Sequence, residues 1–207
     1  MPHHSWLILL MPLVFADLPA GQAQTRTRTT SPFPTVSKSV AWITNVPYVA
    51  GAEPERQLDL YIPTNRQGEP LVVYVHGGGW AAGDKAGDSI NPNNLQWLWQ
   101  GYAIASINYR LVGTALWPAQ IEDCKAAIRW LKAHAREYGY NANRLGVVGE
   151  SAGGHLTAML GTTSGTRTFD VGENLDYTSE VACVVWSQRR HSRALGRGQT
   201  FGISRQG

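Results

Sequence analysis

Apolar residues along this chain fall into two patterns, which are short continuous runs and longer stretches with a helical spacing. Continuous apolar runs are typical of strands that a sheet buries on both faces. We predict four such strands, at residues 71–75, 102–108, 145–148 and 181–186. Residues 38–49 and 57–62 read as edge strands, and the second of them alternates apolar with polar positions.

Helices are predicted between the runs, where apolar residues recur three and four positions apart. The clearest helix covers residues 119–138, and others are expected at 89–100 and 152–160. Strands that alternate with helices predict an α/β fold, with a mostly parallel sheet and helices on both faces. We expect the strands at 71–75, 102–108 and 145–148 to be adjacent and parallel.

The composition is that of a folded globular domain. Of the 207 residues, 43% are hydrophobic and 16% are charged, which excludes an intrinsically disordered protein. The 22 glycines and 11 prolines have no repeat period, so collagen and solenoid folds are excluded as well. The net charge of +3 comes from residues 187–207, which hold five arginines and no acidic residue. Because the rest of the chain is slightly acidic, we predict no nucleic-acid binding.

The segment before the first predicted strand differs from the rest of the chain. Residues 1–23 contain a short apolar stretch and then small residues, as in a signal peptide, so we predict an exported protein without a stable membrane span. Residues 24–38 read as a linker, residues 39–186 as the folded domain, and residues 187–207 as an atypical basic tail. The two cysteines, Cys124 and Cys183, are expected to be buried thiols and not a disulfide.

The motif with the most chemical content is GESAG at residues 149–153. It fits the pattern G-x-S-x-G, in which a serine occupies the tip of a sharp turn between a buried strand and a helix. Such a turn brings two backbone segments so close together that Gly149 and Gly153 must lack side chains. Ser151 is therefore the predicted nucleophile, and the start of the following helix favours negative charge beside it.

A second motif, HGGGW at residues 76–80, directly follows the predicted strand at 71–75. Glycines permit a backbone path whose N–H groups point into a cavity, where they stabilise an oxyanion. The alternatives are a tight turn and a phosphate loop, but a phosphate loop needs a Lys followed by Ser or Thr, which is absent here. We expect Gly78, Gly79 and Ala152 to form an oxyanion hole, with His76 and Gly77 supporting the loop.

Together these motifs resemble the α/β-hydrolase fold, in particular its esterase and lipase branch with an HGGGW-type oxyanion loop. That branch includes feruloyl and acetyl-xylan esterase-like enzymes, and within it this chain resembles the BD-FAE family. Shorter motifs agree, namely GDK at 83–85, NYR at 108–110 and WPAQ at 117–120, so the resemblance covers about residues 40–185. It implies a carboxylic-ester hydrolase with a nucleophilic serine. The implied substrate is a small-molecule ester, and carbohydrate-linked esters are among the candidates. The resemblance implies no metal or organic cofactor, and the histidines have no metal-ligand spacing.

The resemblance also implies an acid and a histidine after the serine, and neither can be assigned. His191 lies inside the basic tail, and the acidic residues after Ser151 all precede the last predicted strand: Asp170, Glu173, Asp176 and Glu180. We therefore expect the C-terminal strands to be missing, as in a truncated or frameshifted product, which would leave residues 181–186 as an open edge. A polyanion-binding tail is the alternative for residues 187–207.

Two other functions remain open for the same fold. A catalytically inactive remnant or binding module would explain the unassigned acid and histidine. A serine peptidase or amidase would use the same turn at Ser151.

Residues near the motifs carry three further predictions. Arg110 and Asp123 are expected to form a bracing ion pair. His155, one helical turn after Ser151, is expected to have a structural role beneath the nucleophile. A group of tryptophans is expected to line either the substrate site or the core: Trp80, Trp97, Trp99 and Trp117.

Overall fold

The protein is known from a computed structural model that describes residues 40–51, 53–87, 92–187 and 201–205. The described residues form a seven-stranded sheet in the order β1-β2-β4-β3-β5-β6-β7. The strands are β1 (Val40–Pro47), β2 (Gln57–Pro63), β3 (Glu69–Val75), β4 (Ala103–Ile107), β5 (Tyr140–Glu150), β6 (Cys183–Ser187) and β7 (Phe201–Arg205). The helices are α1 (Pro92–Trp99), α2 (Ala119–Ala133), α3 (Ala135–Tyr138) and α4 (Ala152–Thr162), and a 3-10 turn covers Pro54–Arg56.

The centre of the sheet is parallel. Val73 of β3 pairs with Ala105 of β4 on one side and with Val147 of β5 on the other, and β6 continues the parallel set beyond β5. The predicted adjacency of the three central strands is therefore confirmed. Because parallel strands end at the same edge of a sheet, the loops after β3, β4 and β5 meet there.

Both faces of the sheet carry helices, as the alternating pattern predicts. Val73 and Ala105 belong to a buried core cluster that includes residues of α2 and α4. Ile104 points to the opposite face because side chains alternate along a strand, and there it packs with Tyr61 of β2 and Leu98 of α1. The buried apolar strands thus lie between two helical layers, which is the physical reason for their continuous apolar runs.

The structure corrects three predicted elements. Residues 57–62 are not an edge strand, because β2 lies between β1 and β4 and pairs antiparallel with both. The predicted helix at 119–138 is two helices that meet at His134. The predicted strand at 145–148 is only the central part of β5, which pairs with β3 from Tyr140 onwards.

The basic tail also differs from the expectation. It contains β7, which pairs antiparallel with β6, so β6 is not an open edge. Apolar residues at positions 201 and 203 are its only periodic signal in the sequence, too few to predict a strand. The predicted signal peptide, the linker and residues 188–200 lie outside the described residues.

Two smaller predictions can be compared with the structure. Cys124 and Cys183 form no disulfide; Cys124 is buried as expected, whereas Cys183 is partly exposed, which corrects the expectation of two buried thiols. Within the described ranges, no helix is long and apolar enough to cross a bilayer.

A buried charge cluster ties the loop after α4 to α2. Arg129 Nη1 and Lys125 Nζ lie 3.0 and 3.5 Å from Oδ1 of Asp170, and the Ser179 hydroxyl donates a 2.8 Å hydrogen bond to the same oxygen. Both cationic side chains are fully buried, and burial lowers the pKa of Lys125. Asp170 is therefore the carboxylate that balances two buried cations.

Asp170→Asn is expected to destabilise the fold by about 3 kcal/mol, because it leaves those two cations buried without their counter-charge. Urea unfolding followed by circular dichroism measures the effect. Asp176→Asn is the matched control, since Asp176 is an exposed carboxylate on the same loop and its loss should cost less than about 0.5 kcal/mol. Equal unfolding midpoints for the two variants would contradict the role given to Asp170.

Candidate active site

Ser151 stands alone between β5 and α4, since β5 ends at Glu150 and α4 begins at Ala152. Its backbone has φ 56° and ψ −118°, a conformation that residues with a side chain rarely adopt. The His155 N–H donates a 3.0 Å hydrogen bond to the Ser151 carbonyl, which closes the first turn of α4. The side chain of Ser151 is exposed at the carboxyl edge of the sheet, where the sequence predicts it.

Two glycines make this turn sterically possible. A Cβ on Gly149 would overlap the carbonyl group of Gly153, and a Cβ on Gly153 would overlap the carbonyl oxygen of Val75 at the end of β3. The turn between β5 and α4 therefore packs backbone against backbone, both within itself and against β3. This is the physical reason for small residues two positions before and two after Ser151.

The glycine loop after β3 runs beside Ser151. A Cβ on Gly77 would lie 2.9 Å from the Glu150 carbonyl oxygen and 3.5 Å from Ser151 Cβ. Gly78 and Gly79 have φ values of 113° and 62°, which take the chain through a tight reversal. Neither the Gly78 nor the Gly79 N–H donates a hydrogen bond to another described residue. Among the described residues, two backbone N–H donors of the loop that runs beside Ser151 thus have no hydrogen-bond partner.

His76 is packed into the protein beneath this loop. It is 2% exposed, and its ring stacks on Tyr109 with 4.3 Å between the ring centroids. Its Nδ1 lies 2.7 Å from the Gly77 carbonyl oxygen. The Tyr109 hydroxyl donates a 2.9 Å hydrogen bond to the His76 carbonyl, and burial raises the pKa of that hydroxyl. A side chain at Gly83 would overlap the His76 ring. The segment that follows the glycine loop therefore passes directly against this ring.

A buried ion pair anchors the segment that follows the glycine loop, and the sequence analysis did not identify it. Lys85 Nζ lies 2.9 Å from Asp59 Oδ1, and both side chains are almost fully buried. Asn108 links this segment to the end of β4, since its Oδ1 accepts the Lys85 backbone N–H at 2.6 Å and its Nδ2 donates to Asp84 at 3.0 Å. Partial burial raises the pKa of Asp84, but hydrogen bonds such as this one outweigh it and leave the pKa below its ordinary value.

The predicted pair of Arg110 and Asp123 is present. Arg110 Nε and Nη2 each donate a 2.8 Å hydrogen bond to the Asp123 carboxylate, and the Arg110 backbone N–H donates a third at 2.9 Å. The hydrogen bonds from its side chain to Asp123 raise the pKa of Arg110. Gln120 adds bonds to the Arg110 and Ala115 carbonyls, so the loop between β4 and α2 is held at both ends.

His155 is exposed and not beneath the nucleophile, which corrects the sequence-based expectation. It lies one turn along α4 from Ser151. Its ring contacts Trp80 edge-on with 5.4 Å between the ring centroids, and Trp117 with 5.9 Å between them. Trp117 also contacts Phe169 at 5.9 Å. We call these four residues the aromatic cluster. The sequence misplaced His155 because helical spacing alone does not say which neighbours lie beside a turn.

The other two tryptophans lie elsewhere. Trp97 lines a cavity of about 200 Å³ on the α1 face of the sheet, together with Val72, Tyr102 and Cys183. Trp99 is 46% exposed at the end of α1. Of the four tryptophans considered, Trp80 and Trp117 are the pair in the aromatic cluster.

A base for the serine is not evident among the described residues. His155 is the only histidine after Ser151 in those ranges, and His191 lies outside them. Asp170 belongs to the buried charge cluster, and Glu173 accepts the Ala50 N–H at 3.0 Å. In the same ranges, no group of three or more His, Cys, Asp or Glu side chains is arranged to hold a metal ion.

Comparison with known proteins places this geometry in a family. Residues 58–186, more than half of the chain, match the BD-FAE family. The chain is 35% identical to Esterase LipC of Mycobacterium tuberculosis over 120 residues, covering 55% of this chain and 28% of LipC. It is 39% identical to Carboxylesterase NlhH of the same species over 99 residues, covering 47% of this chain and 30% of NlhH. The chain thus spans less than a third of the length of these relatives.

Solved structures agree with the sequence relatives. A truncated form of a carbohydrate esterase from gut microbiota superposes with a TM-score of 0.66 at 32% identity, covering 73% of this chain and 57% of that one. Inhibited Esterase B from Lactobacillus rhamnosis superposes with a TM-score of 0.58 at 32% identity, covering 69% of this chain and 47% of that one. The chain therefore belongs to the BD-FAE family and has the fold of the esterase-like α/β-hydrolases.

Proposed function

We propose that the protein is a carboxylic-ester hydrolase in which Ser151 is the nucleophile. The observation that carries the proposal is the backbone of Ser151, whose positive φ places an exposed hydroxyl at the tip of the turn between β5 and α4. Strained backbone of this kind is concentrated at functional sites because the surrounding structure must offset its cost. The family and the esterase names of the relatives support the same reaction class.

In the proposed reaction, the Ser151 hydroxyl oxygen attacks the ester carbonyl carbon and its proton passes to a base. The carbonyl oxygen becomes an oxyanion, which the N–H groups of Gly78, Gly79 and Ala152 stabilise. The first two donors have no hydrogen-bond partner among the described residues, and the Ala152 N–H has no intrahelical partner because Ala152 is the first residue of α4. The alcohol then leaves with a proton, and water hydrolyses the acyl-enzyme to free the acid and Ser151.

A carbohydrate-linked ester is the substrate class that we favour within this proposal. The support is the likeness to the carbohydrate esterase from gut microbiota. The reaction itself requires only a small-molecule ester, since nucleophile and donors engage the carbonyl group alone.

Ser151→Ala is expected to abolish labelling by a fluorophosphonate and hydrolysis of p-nitrophenyl acetate. Turnover should be slow, because no base for Ser151 is evident among the described residues, and a serine without its triad partners retains only about 10³–10⁴-fold acceleration over water. Mass spectrometry of the labelled peptide and a spectrophotometric assay measure the two effects. Ser164→Ala is the matched control, because its hydroxyl has no hydrogen-bond partner among the described residues.

Hydrolysis that is unchanged in Ser151→Ala would remove the serine mechanism. Turnover at the level of an intact triad would contradict the expected slow rate. His191→Gln would then identify whether that histidine acts as the base.

Gly78→Ala is expected to lower turnover by about 10²-fold, the typical effect of losing one oxyanion donor. A Cβ at Gly78 would overlap the Ala82 carbonyl and displace the loop, whereas a Cβ at the exposed Gly87 would meet only the Asp84 carbonyl oxygen, at an ordinary contact distance of 3.5 Å. Gly87→Ala is therefore the matched control and should leave turnover nearly unchanged. Steady-state kinetics of both variants, with unfolding midpoints alongside, measure the difference. An equal loss of turnover in the two variants would contradict a specific role of the loop at Gly78 in catalysis.

We also propose that the protein is exported, on the pattern of residues 1–23. N-terminal sequencing of the mature protein from the culture medium or periplasm is expected to begin near Gln24. An abundant cytoplasmic form that retains Met1 would refute export.

A further inference from the structure

The loop between β4 and α2 presents large apolar side chains to solvent. Leu116 is 82% exposed, Trp117 is 49% exposed and Val112 is 46% exposed. Single exposed apolar residues are ordinary on protein surfaces. Here three lie within six positions of one loop, which we call the exposed apolar patch, and large exposed apolar patches mark binding sites.

Hydrogen bonds hold this loop in place. The Val112 N–H donates to the Trp80 carbonyl at 2.8 Å, and the Ala115 N–H donates to the Leu111 carbonyl at 2.9 Å. The Gln120 side chain bonds the Ala115 carbonyl at 2.8 Å. A loop fixed in this way keeps its apolar side chains in water at a cost in free energy, which a bound apolar group would recover.

The patch lies next to Ser151. The bond from Val112 to Trp80 joins it to the glycine loop, since Trp80 directly follows Gly79. The rings of Trp80 and Trp117 both contact His155, which is one helical turn from Ser151 on α4. The aromatic cluster therefore leads from the first turn of α4 to Trp117, which is adjacent to Leu116 in the chain, and we call this surface the apolar wall.

We propose that this wall binds a bulky apolar substituent of the ester and that Trp117 determines the preference for it. This inference rests on the proposed ester hydrolysis at Ser151. With the carbonyl oxygen at the N–H groups of Gly78 and Gly79, we place one of the two substituents on the carbonyl carbon along α4, towards His155. There it covers the exposed face of Trp117 and removes that face from water.

Binding of unreactive amides tests the wall without requiring turnover. Benzamide carries a phenyl ring on the acyl side, acetanilide carries it on the other side, and acetamide carries none. Ligand-observed NMR titration of the 207-residue chain gives a Kd for each. We expect one phenyl amide to bind about ten times more tightly than acetamide, because it buries part of the indole face.

Trp117→Ala is expected to weaken binding of that phenyl amide about tenfold and to leave acetamide unchanged, while Trp117→Phe restores most of the affinity. Trp42→Ala is the matched control: Trp42 is 52% exposed on β1, and three strands separate β1 from β5. Circular dichroism is used to check that each variant is folded. We expect that it is, because replacing a half-exposed side chain removes little core packing.

Equal affinities for the three amides, or equal losses in Trp117→Ala and Trp42→Ala, would overturn the inference. These outcomes are separate from the test of the reaction itself. If Ser151→Ala abolishes labelling while Trp117→Ala leaves binding unchanged, the wall is wrong and the hydrolase stands. If binding depends on Trp117 but Ser151 is unreactive, the wall stands and the reaction is wrong.

Discussion

The first turn of α4 packs directly against the backbone at the end of β3, and the candidate site depends on that contact. Gly153 leaves no room for a Cβ beside the carbonyl oxygens of Val75 and His76. Since β3 also pairs with β5 along its whole length, the ends of the two strands and the start of α4 are held as one unit. A serine with positive φ costs about 1–3 kcal/mol, and this packing offsets it.

The same contact explains why the glycine loop is the neighbour of the serine. The loop leaves β3 at the point where α4 packs, so Gly77 lies beside Ser151, where a Cβ would come within 2.9 Å of the Glu150 carbonyl oxygen. The buried His76 ring, stacked on Tyr109, then fixes the direction in which the loop turns. Backbone donors and nucleophile are thus positioned by close backbone packing and by buried side chains, which is the kind of preorganisation that favours stabilisation of developing charge.

Ion pairs fix the segments on either side of this unit. Lys85 and Asp59 anchor the segment after the glycine loop, and Arg110 and Asp123 anchor the loop that carries the exposed apolar patch. Buried pairs contribute little net stability compared with apolar packing, because desolvation offsets their attraction. Their consequence here is positional, since each joins a loop at the carboxyl edge to a strand or helix of the core.

The local features of this protein follow from its sequence alone. The buried central strands and the two glycine motifs were predictable because continuous apolar runs and the G-x-S-x-G pattern are visible along the chain, and the contact between Gly149 and Gly153 at the turn is local. Other features needed the tertiary structure. The pairing of Lys85 with Asp59, the addition of β7 to the sheet and the exposure of His155 beside two tryptophans join residues far apart in sequence. Hydrophobic periodicity reports which face of an element is buried, but not which distant residue covers it, and for that reason only the folded chain decided them.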